Sequence, residues 1–324
     1  MASSCKSVLV IGSVNADVVV EVDRLPLRGE TISASKPDTG RLVPGGKGAN
    51  QAAAAARLLA GSQTCKARFA GQFGNDGQGQ TLERSLQAVG ADTELCGHPE
   101  CPSGQAFVFV YPDGDNSIVI VGGANRAWPA ELPKDLVQAI ESSAIVLVQN
   151  EIPPEMNDLV ALTAARAGIP VMWDTGGDDR AMSKDILNKI TYLCPNETEL
   201  ARLANKEVAS TEQAVEVARH MQSLGAKNML VTLGSYGSVF VPETGDVIHQ
   251  RCFKVDNVVD TTGAGDCYRG AFAVALAEGK SIQDSMEFAA AASALCVQVS
   301  GAQPSMPSAE SVAEFLRAQT TQTE

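Results

Sequence analysis

Short, continuously apolar runs alternate with stretches of helical periodicity along most of this chain. SVLVIGS (7–13), ARFAGQFG (67–74), AIVLVQNE (144–151), IPVMWD (169–174), ITYLCPNE (190–197) and NMLVTLG (228–234) have the length and character of strands buried on both faces. Helical patterns fall between them, over 47–60, 77–90, 154–167, 197–204 and 211–224. The last sixty or so residues turn helical, over 266–278, 282–299 and 308–318. Repeated strand–helix order predicts an α/β fold whose mostly parallel central sheet carries helices on both faces. Ligands of such sheets sit at the carboxyl ends of the strands, so Asn15, Glu151, Asn196 and Gly234 are candidates by position alone.

Two stretches break the alternation. Residues 16–36 and 104–121 read as antiparallel strand pairs, the second turning at Pro112-Asp113-Gly114. Together they predict a small antiparallel sheet projecting from the main body as a lid over the ligand-bearing edge. Residues 1–324 contain no repeat and no low-complexity linker, and read as one domain.

Composition narrows the function. A chain of 324 residues with 44% hydrophobic content can bury a large core. A net charge of −13 argues against nucleic acid or an anionic membrane as partner. No apolar run approaches the roughly 18 residues that span a bilayer. The N-terminal MASSCKSVLVIGS lacks the marks of a targeting peptide, and the C-terminal TQTE matches no retention signal. A soluble, cytoplasmic protein is expected. Six of the eight cysteines are scattered and read as thiols; Cys96, His98 and Cys101 have a C-x-H-x-x-C spacing but lack a fourth ligand for structural zinc.

The candidate chemistry lies in two glycine-rich turns, each feeding a helix. Residues 260–270, DTTGAGDCYRG, precede the apolar run AFAVALA. Gly263, Ala264 and Gly265 leave their amides free to converge on an anion at the positive end of a helix, and Asp266 stands beside them. An anion cradle next to a carboxylate is what phosphoryl transfer to an alcohol requires. The same residues also read as a tight turn with Asp266 as a helix cap. The second element, PGGKGANQAAAAARLLA (44–60), offers Gly45, Gly46 and Gly48 for close approach, Lys47 for charge and Asn50 for its amide. Its alanine run makes a slim helix suited to tight packing. The P-loop pattern GxxxxGK[ST] and the strict dinucleotide GxGxxG are both absent.

With both elements in hand, the chain resembles the ribokinase family of carbohydrate kinases almost end to end. The likeness rests on GSVNAD (12–17), GGKGANQ (45–51), the GxxGNDGQG-like stretch ending at Gly79, NE (150–151), PNETE (195–199), TLGSYG (232–237), DTTGAGD (260–266) and GAQPS (301–305). It implies ATP-dependent phosphorylation of D-ribose at its 5-hydroxyl, with Asp266 as general base and the backbone of Thr262, Gly263, Ala264 and Gly265 as anion hole. Asn15, Asp17, Gly45, Gly46, Lys47, Asn50, Glu151 and Asp266 are implied to hold the sugar. Asn196 and the segment Thr232, Leu233, Gly234, Ser235, Tyr236 and Gly237, with Gly265, are implied to contact ATP. Glu199 is implied to organise Mg²⁺ through water, although Asn196 and Glu199 also read as the capping box of a helix at 197. K⁺ is implied beside the anion hole, with Asp260, Thr262, Cys296, Val299, Gly301 and Ser305 around it.

The chain departs from the family pattern in three places. Cys267, Tyr268 and Arg269 follow GAGD where Thr or Ser, Phe and often Asn are usual, and Arg269 reads as facing solvent or phosphate. Ala290 replaces a polar residue expected near the adenine. WDTGGDD (173–179) replaces an Asn-Pro-Ala-Pro-like loop. The alternatives are a kinase for 2-deoxyribose, a ketohexose or a nucleoside, and a sugar-binding regulator without catalysis. An apolar face on the lid sheet predicts a homodimer.

Overall fold

The computed structural model describes residues 6–113 and 115–321. In chain order the elements are β1 (Lys6–Ile11), β2 (Asn15–Glu21), β3 (Arg41–Gly45), α1 (Lys47–Leu58), β4 (Cys65–Ala70), α2 (Gly77–Ala88), β5 (Gly104–Val110) and β6 (Asn116–Val121). Next come α3 (Lys134–Ser142), β7 (Ile145–Asn150), α4 (Pro154–Arg166), β8 (Val171–Gly177), α5 (Lys184–Leu187), β9 (Tyr192–Cys194), α6 (Glu197–Ala204) and α7 (Thr211–Ser223). The chain continues with β10 (Asn228–Thr232), β11 (Ser238–Val241), β12 (Ile248–Gln250), α8 (Ala264–Ala277), α9 (Ile282–Cys296), α10 (Ala302–Ser305) and α11 (Ala309–Thr321).

An eight-stranded sheet in the order β12-β11-β10-β9-β8-β7-β1-β4 forms the centre. It is parallel from β4 to β10 and ends in the antiparallel strands β11 and β12. The continuous apolar runs are explained by burial on both faces. Within β1, Val8 and Val10 join the core beneath α1, α8 and α9, while Leu9 and Ile11 join the core beneath α3, α4 and α7. All the predicted buried strands and their helices are present. The additions are α3, α5, α10, β3, β11 and β12, most of them too short or too polar to announce themselves by periodicity.

The lid is a four-stranded sheet in the order β3-β2-β5-β6. Its outer pairs are antiparallel, and its central pair, β2 with β5, runs parallel. The partner of β2 is not inside 16–36, as expected, but at Arg41–Gly45. Pro26, Gly29 and Pro37 break the intervening stretch, which hangs on β2 through Ser35 N–H to the Glu21 carbonyl (2.8 Å) and Gly40 N–H to the Val19 carbonyl (2.7 Å). At the hairpin expected over Pro112-Asp113-Gly114, Tyr111 N–H donates to the Asp115 carbonyl at 2.9 Å. Gly114 itself lies outside the described residues, as do Cys5 and the last three residues of TQTE.

Every described cysteine is a free thiol. Cys96 donates to the Phe69 carbonyl at 3.4 Å, and His98 hydrogen-bonds Glu83 at 3.1 Å while stacking on Phe73. Among the described residues no group of three or more His, Cys, Asp or Glu is placed to hold a metal. No helix among them is long and apolar enough to cross a membrane.

Candidate active site

Helix α1 and helix α8 meet in close contact, and that contact builds the site. Ala52 to Ala55 are fully buried, and a methyl group on Gly270 would come within 2.8 Å of the Ala54 Cβ and 2.9 Å of the Gln51 carbonyl oxygen. Only small residues on both helices allow this approach. As a result, the amides one turn up α1 reach the start of α8. Asn50 Nδ2 donates to Asp266 Oδ2 at 2.9 Å and Gln51 Nε2 to Asp266 Oδ1 at 3.1 Å. Asp266 is 6% exposed. Burial raises its pKa to about 6, opposed by Lys47 and by the two amides, while Asp174 pushes it further up. The helix terminus therefore does not keep it at an ordinary carboxylate value, but it remains ionised at neutral pH.

The approach of α8 is set by its own first turn. Gly263 has φ +77°, a left-handed conformation, and a Cβ there would come within 2.9 Å of the Ala302 side chain. Thr262 N–H is committed to Asp260 Oδ1 at 2.8 Å and Ala264 N–H to the Thr261 carbonyl at 3.2 Å. Of the expected anion-hole amides, these two therefore serve the loop. Gly263, Gly265 and Asp266 keep amides with no acceptor among the described residues.

Lys47 opens α1, and its ammonium lies between two carboxylates, 3.6 Å from Asp174 Oδ2 and 3.9 Å from Glu199 Oε1. On the far side the same carboxylates meet Arg269, whose Nε is 3.2 Å from Asp174 and whose Nη2 is 3.6 Å from Glu199. Arg269 thus faces neither solvent nor the outer surface. It is 3% exposed and also donates twice to the Cys194 carbonyl, at 3.1 and 2.7 Å. Burial alone would raise the pKa of Asp174; Arg269 and Lys47 instead hold it below its ordinary value. Loss of solvent is the largest single influence on Lys47 and Arg269 and pulls their pKa values down, but Asp174, Glu199 and Asp266 together outweigh it and hold both protonated.

The loop 173–179, which departs from the family pattern, has a physical role here. It delivers Asp174, whose Oδ1 accepts Gly176 N–H at 2.8 Å and whose Oδ2 accepts Gln51 Nε2 at 2.8 Å. It also delivers Gly176, where any side chain would overlap Lys47 and Glu199. Gln51, Asp174, Gly176 and Arg269 carried no assigned role in the sequence reading. The signal available was joint: a new acid in one loop and a new base on a distant helix.

Across the cleft, the lid strands supply the remaining polar groups. Asn15 is fixed by Asn125 Nδ2 donating to its Oδ1 at 2.7 Å, which leaves the Asn15 amide nitrogen for a ligand. Asp17 has an Oδ1 with no partner among the described residues, and so does Asn50 Oδ1. Burial first, then Glu151 and Asp266, raise the pKa of Asp17 to about 7. Glu151, after β7, accepts from Ser13 Oγ and from Lys47 N–H, which ties it to the start of α1. Gly45 leaves room for the Asp17 carboxylate, and Gly46, at φ +89°, lets the chain turn against Val14 and Asn15.

Where the nucleotide is expected, Asn196 and Glu199 form the capping box of α6: Asn196 Oδ1 accepts Glu199 N–H at 2.8 Å and Glu199 Oε2 accepts Asn196 N–H at 2.9 Å. Asn196 bridges to Thr232 at the end of β10. From there Leu233 turns into the core, with its N–H bonded to the Gly237 carbonyl at 2.8 Å, and Gly234, Ser235 and Tyr236 make a 3₁₀ turn at the surface. Ala290 is buried in α9. The residues expected around a monovalent cation are also brought together. Asp260 accepts Gly301 N–H at 2.8 Å, its own N–H bonds the Val297 carbonyl at 3.2 Å, and Ser305 Oγ lies 3.0 Å from Cys296 Sγ. The donors available there are carboxylate, carbonyl and hydroxyl oxygens, a hard set that fits an alkali cation.

The fold and this site define a phosphotransferase acting on an alcohol, at the carboxyl ends of the strands where such folds carry their ligands. The chain belongs to the pfkB family of carbohydrate kinases, whose model matches residues 6–309. It is 44% identical over 313 residues to the ribokinase of Arabidopsis thaliana, covering 95% of this chain and 80% of that protein. It is 38% identical over 314 residues to the ribokinase of Bacillus subtilis, covering 96% and 99%. The structure of Arabidopsis thaliana ribokinase complexed with ribose and ATP superposes with a TM-score of 0.89 at 43% identity, covering 96% of this chain and 98% of the other.

Proposed function

We propose that this kinase transfers the γ-phosphoryl group of ATP to the 5-hydroxyl of D-ribose, giving ribose 5-phosphate and ADP. One observation carries the choice of a polyol acceptor: the buried acceptors Asp17 Oδ1 and Asn50 Oδ1 lack partners beside the Asp266 carboxylate. A buried acceptor without a donor is costly, and sugar hydroxyls supply the donors. The ribose and ATP in the Arabidopsis ribokinase structure support the same pair of substrates.

In this reading Asn15, Asp17, Gly45, Gly46, Lys47, Asn50 and Glu151 hold the sugar. Asp266 accepts the proton of the 5-hydroxyl as the O–P bond forms and the bond to the β,γ-bridging oxygen breaks. The amides of Gly263, Gly265 and Asp266 and the Lys47 ammonium face the negative charge on the transferring group. The turn Thr232–Gly237 and Asn196 hold the nucleotide. Glu199 is the acid that would hold Mg²⁺ through water, and the ion would supply positive charge to offset that of the nucleotide phosphates. Asp260, Thr262, Cys296, Val299, Gly301 and Ser305 would hold K⁺, whose role is to order the loop that starts α8.

The lid supports a homodimer, since Ile118, Val119, Ile120 and Val121 on its edge strand β6 are each about half exposed. We read residues 1–324 as one kinase domain working in the cytoplasm. The test is ADP release measured with ribose, 2-deoxyribose, fructose and adenosine. Ribose should give the highest kcat/KM; a clear preference for another acceptor overturns the assignment.

A further inference from the structure

We propose that Arg269 is a positioning residue for phosphoryl transfer: paired with Asp174, it fixes Glu199 and, through Asp174, the Lys47 ammonium at the mouth of the anion site. The inference deepens the kinase reading above and rests on it.

The geometry is that of a four-membered chain of charge. Lys47 faces Asp174 and Glu199 at nearly equal distances, 3.6 and 3.9 Å, and Arg269 meets the same two carboxylates from behind at 3.2 and 3.6 Å. Arg269 is itself anchored by two hydrogen bonds to the Cys194 carbonyl, at the end of a central strand. Its place is therefore set by the sheet, and the carboxylates take theirs from it. The fifth charge is Asp266, joined to Asp174 by the shared amide of Gln51.

Charge count shows why a cation is needed at this position. Two positive groups, Lys47 and Arg269, stand against three buried negative ones, Asp174, Glu199 and Asp266, which leaves one negative charge over. Without Arg269, Lys47 alone faces three carboxylates, and at least one would turn away or take up a proton. Lys47 would then be drawn from the transferring phosphoryl group toward whichever acid stayed charged. The remaining guanidinium nitrogen, Nη1, makes no hydrogen bond among the described residues and lies 2.7 Å from where a Cβ on Gly265 would stand. Its positive charge is thus directed under the amides that open α8.

A residue that merely filled the core would show a different pattern of mutant effects. Removing one member of a buried ion pair strands its partner, whereas removing both relieves the imbalance. The experiment compares Arg269→Met, Asp174→Asn, the double variant and Arg269→Lys. It measures kcat per folded molecule, ribose affinity by calorimetry and thermal midpoint. Arg269→Met should lose about 100-fold in kcat, the scale of misplacing a reacting group by about 1 Å. Ribose affinity should fall far less than kcat, because of the sugar-holding side chains only Lys47 moves, while Asn15, Asp17, Asn50 and Glu151 make no contact with Arg269. The double variant should exceed Arg269→Met by about tenfold or more in kcat, a coupling of opposite sign to the single losses. Arg269→Lys should fall between wild type and Arg269→Met, and keeps the test open if the methionine variant does not fold.

A double variant no faster than Arg269→Met, or a lowered thermal midpoint with unchanged kcat per folded molecule, would overturn the proposal. The rate ratios are read on whichever sugar the wild type phosphorylates. A wild type that ignores ribose but accepts another sugar therefore sinks the acceptor assignment alone, and the role of Arg269 is still decided.

Discussion

Asp266 and Asp174 share one hydrogen-bond donor: Gln51 Nε2 lies 3.1 Å from an oxygen of the first and 2.8 Å from an oxygen of the second. The carboxylate assigned as base is thereby locked to the acid that carries Lys47 and Arg269. Two acids so close cannot both be at ease when ionised, and Asp174 takes the lower pKa because the cations stand beside it. The arrangement separates a permanently charged structural acid from one that can exchange a proton.

Replacing Asp266 by Asn removes the proton acceptor while keeping the shape of the site. We expect kcat to fall by about 10²–10⁴-fold, the usual contribution of a general base. Calorimetric ribose affinity should be nearly unchanged. Retained turnover would remove Asp266 from its role.

Activity should depend on pH through two groups. Asp266, at about 6, must be ionised to accept a proton, and Asp17, at about 7, must be ionised to accept from sugar hydroxyls. The acid limb of kcat/KM should therefore lie between pH 6 and 7. In Asp17→Asn the remaining limb should move toward the lower value. A profile flat down to pH 5 would contradict both assignments.

Stability should move the other way. Both carboxylates have folded-state pKa values above their ordinary ones, so the folded protein binds their protons more tightly than the unfolded chain does. The stability this contributes is complete below the ordinary carboxylate range and is lost as pH rises through the folded values. Asp17→Asn should therefore raise the thermal midpoint at pH 8, and the gain should vanish near pH 4. Scanning calorimetry at the two pH values decides it.

Gly176→Ala tests the space kept for Lys47. The backbone there is not left-handed, so the strand tolerates alanine, but the methyl overlaps the Lys47 ammonium and Glu199. Displacing that ammonium should cost roughly 10- to 100-fold in kcat with little change in thermal midpoint. Wild-type kinetics would show that Lys47 does not need its present place.

Asp260 ties the loop that starts α8 to residue 301 and to Thr262. Activity should be higher in K⁺ than in Na⁺ buffer, and Asp260→Ala should abolish the difference. Equal rates in the two salts would remove the cation from the proposal.

How much of this was legible beforehand differs from element to element. The buried strands β1, β4, β7, β8, β9 and β10 could be read, because a two-faced sheet demands unbroken apolar runs and those runs are local. Gly263, Gly265 and Asp266 were legible for a similar reason, since a helix start and its turn are a matter of adjacent residues. β3 was not, because its pairing with β2 is decided by where the chain returns after a long loop, and Pro44 hides its strand character. Arg269 misled, because a charged residue on a helix is usually solvated, and only the carboxylates of two other elements make it a core residue.

Taken alone, then, the residue pattern determined the layered sheet and the glycine-rich turn that opens α8 with Asp266 beside it, both of them consequences of short-range periodicity and backbone freedom. Tertiary structure alone decided that Gln51, Asp174, Glu199 and Arg269, up to 218 positions apart, meet around Lys47. The physical reason is that a buried charge is tolerable only beside its counter-charge, and which counter-charge stands there depends on how α1, β8, α6 and α8 pack.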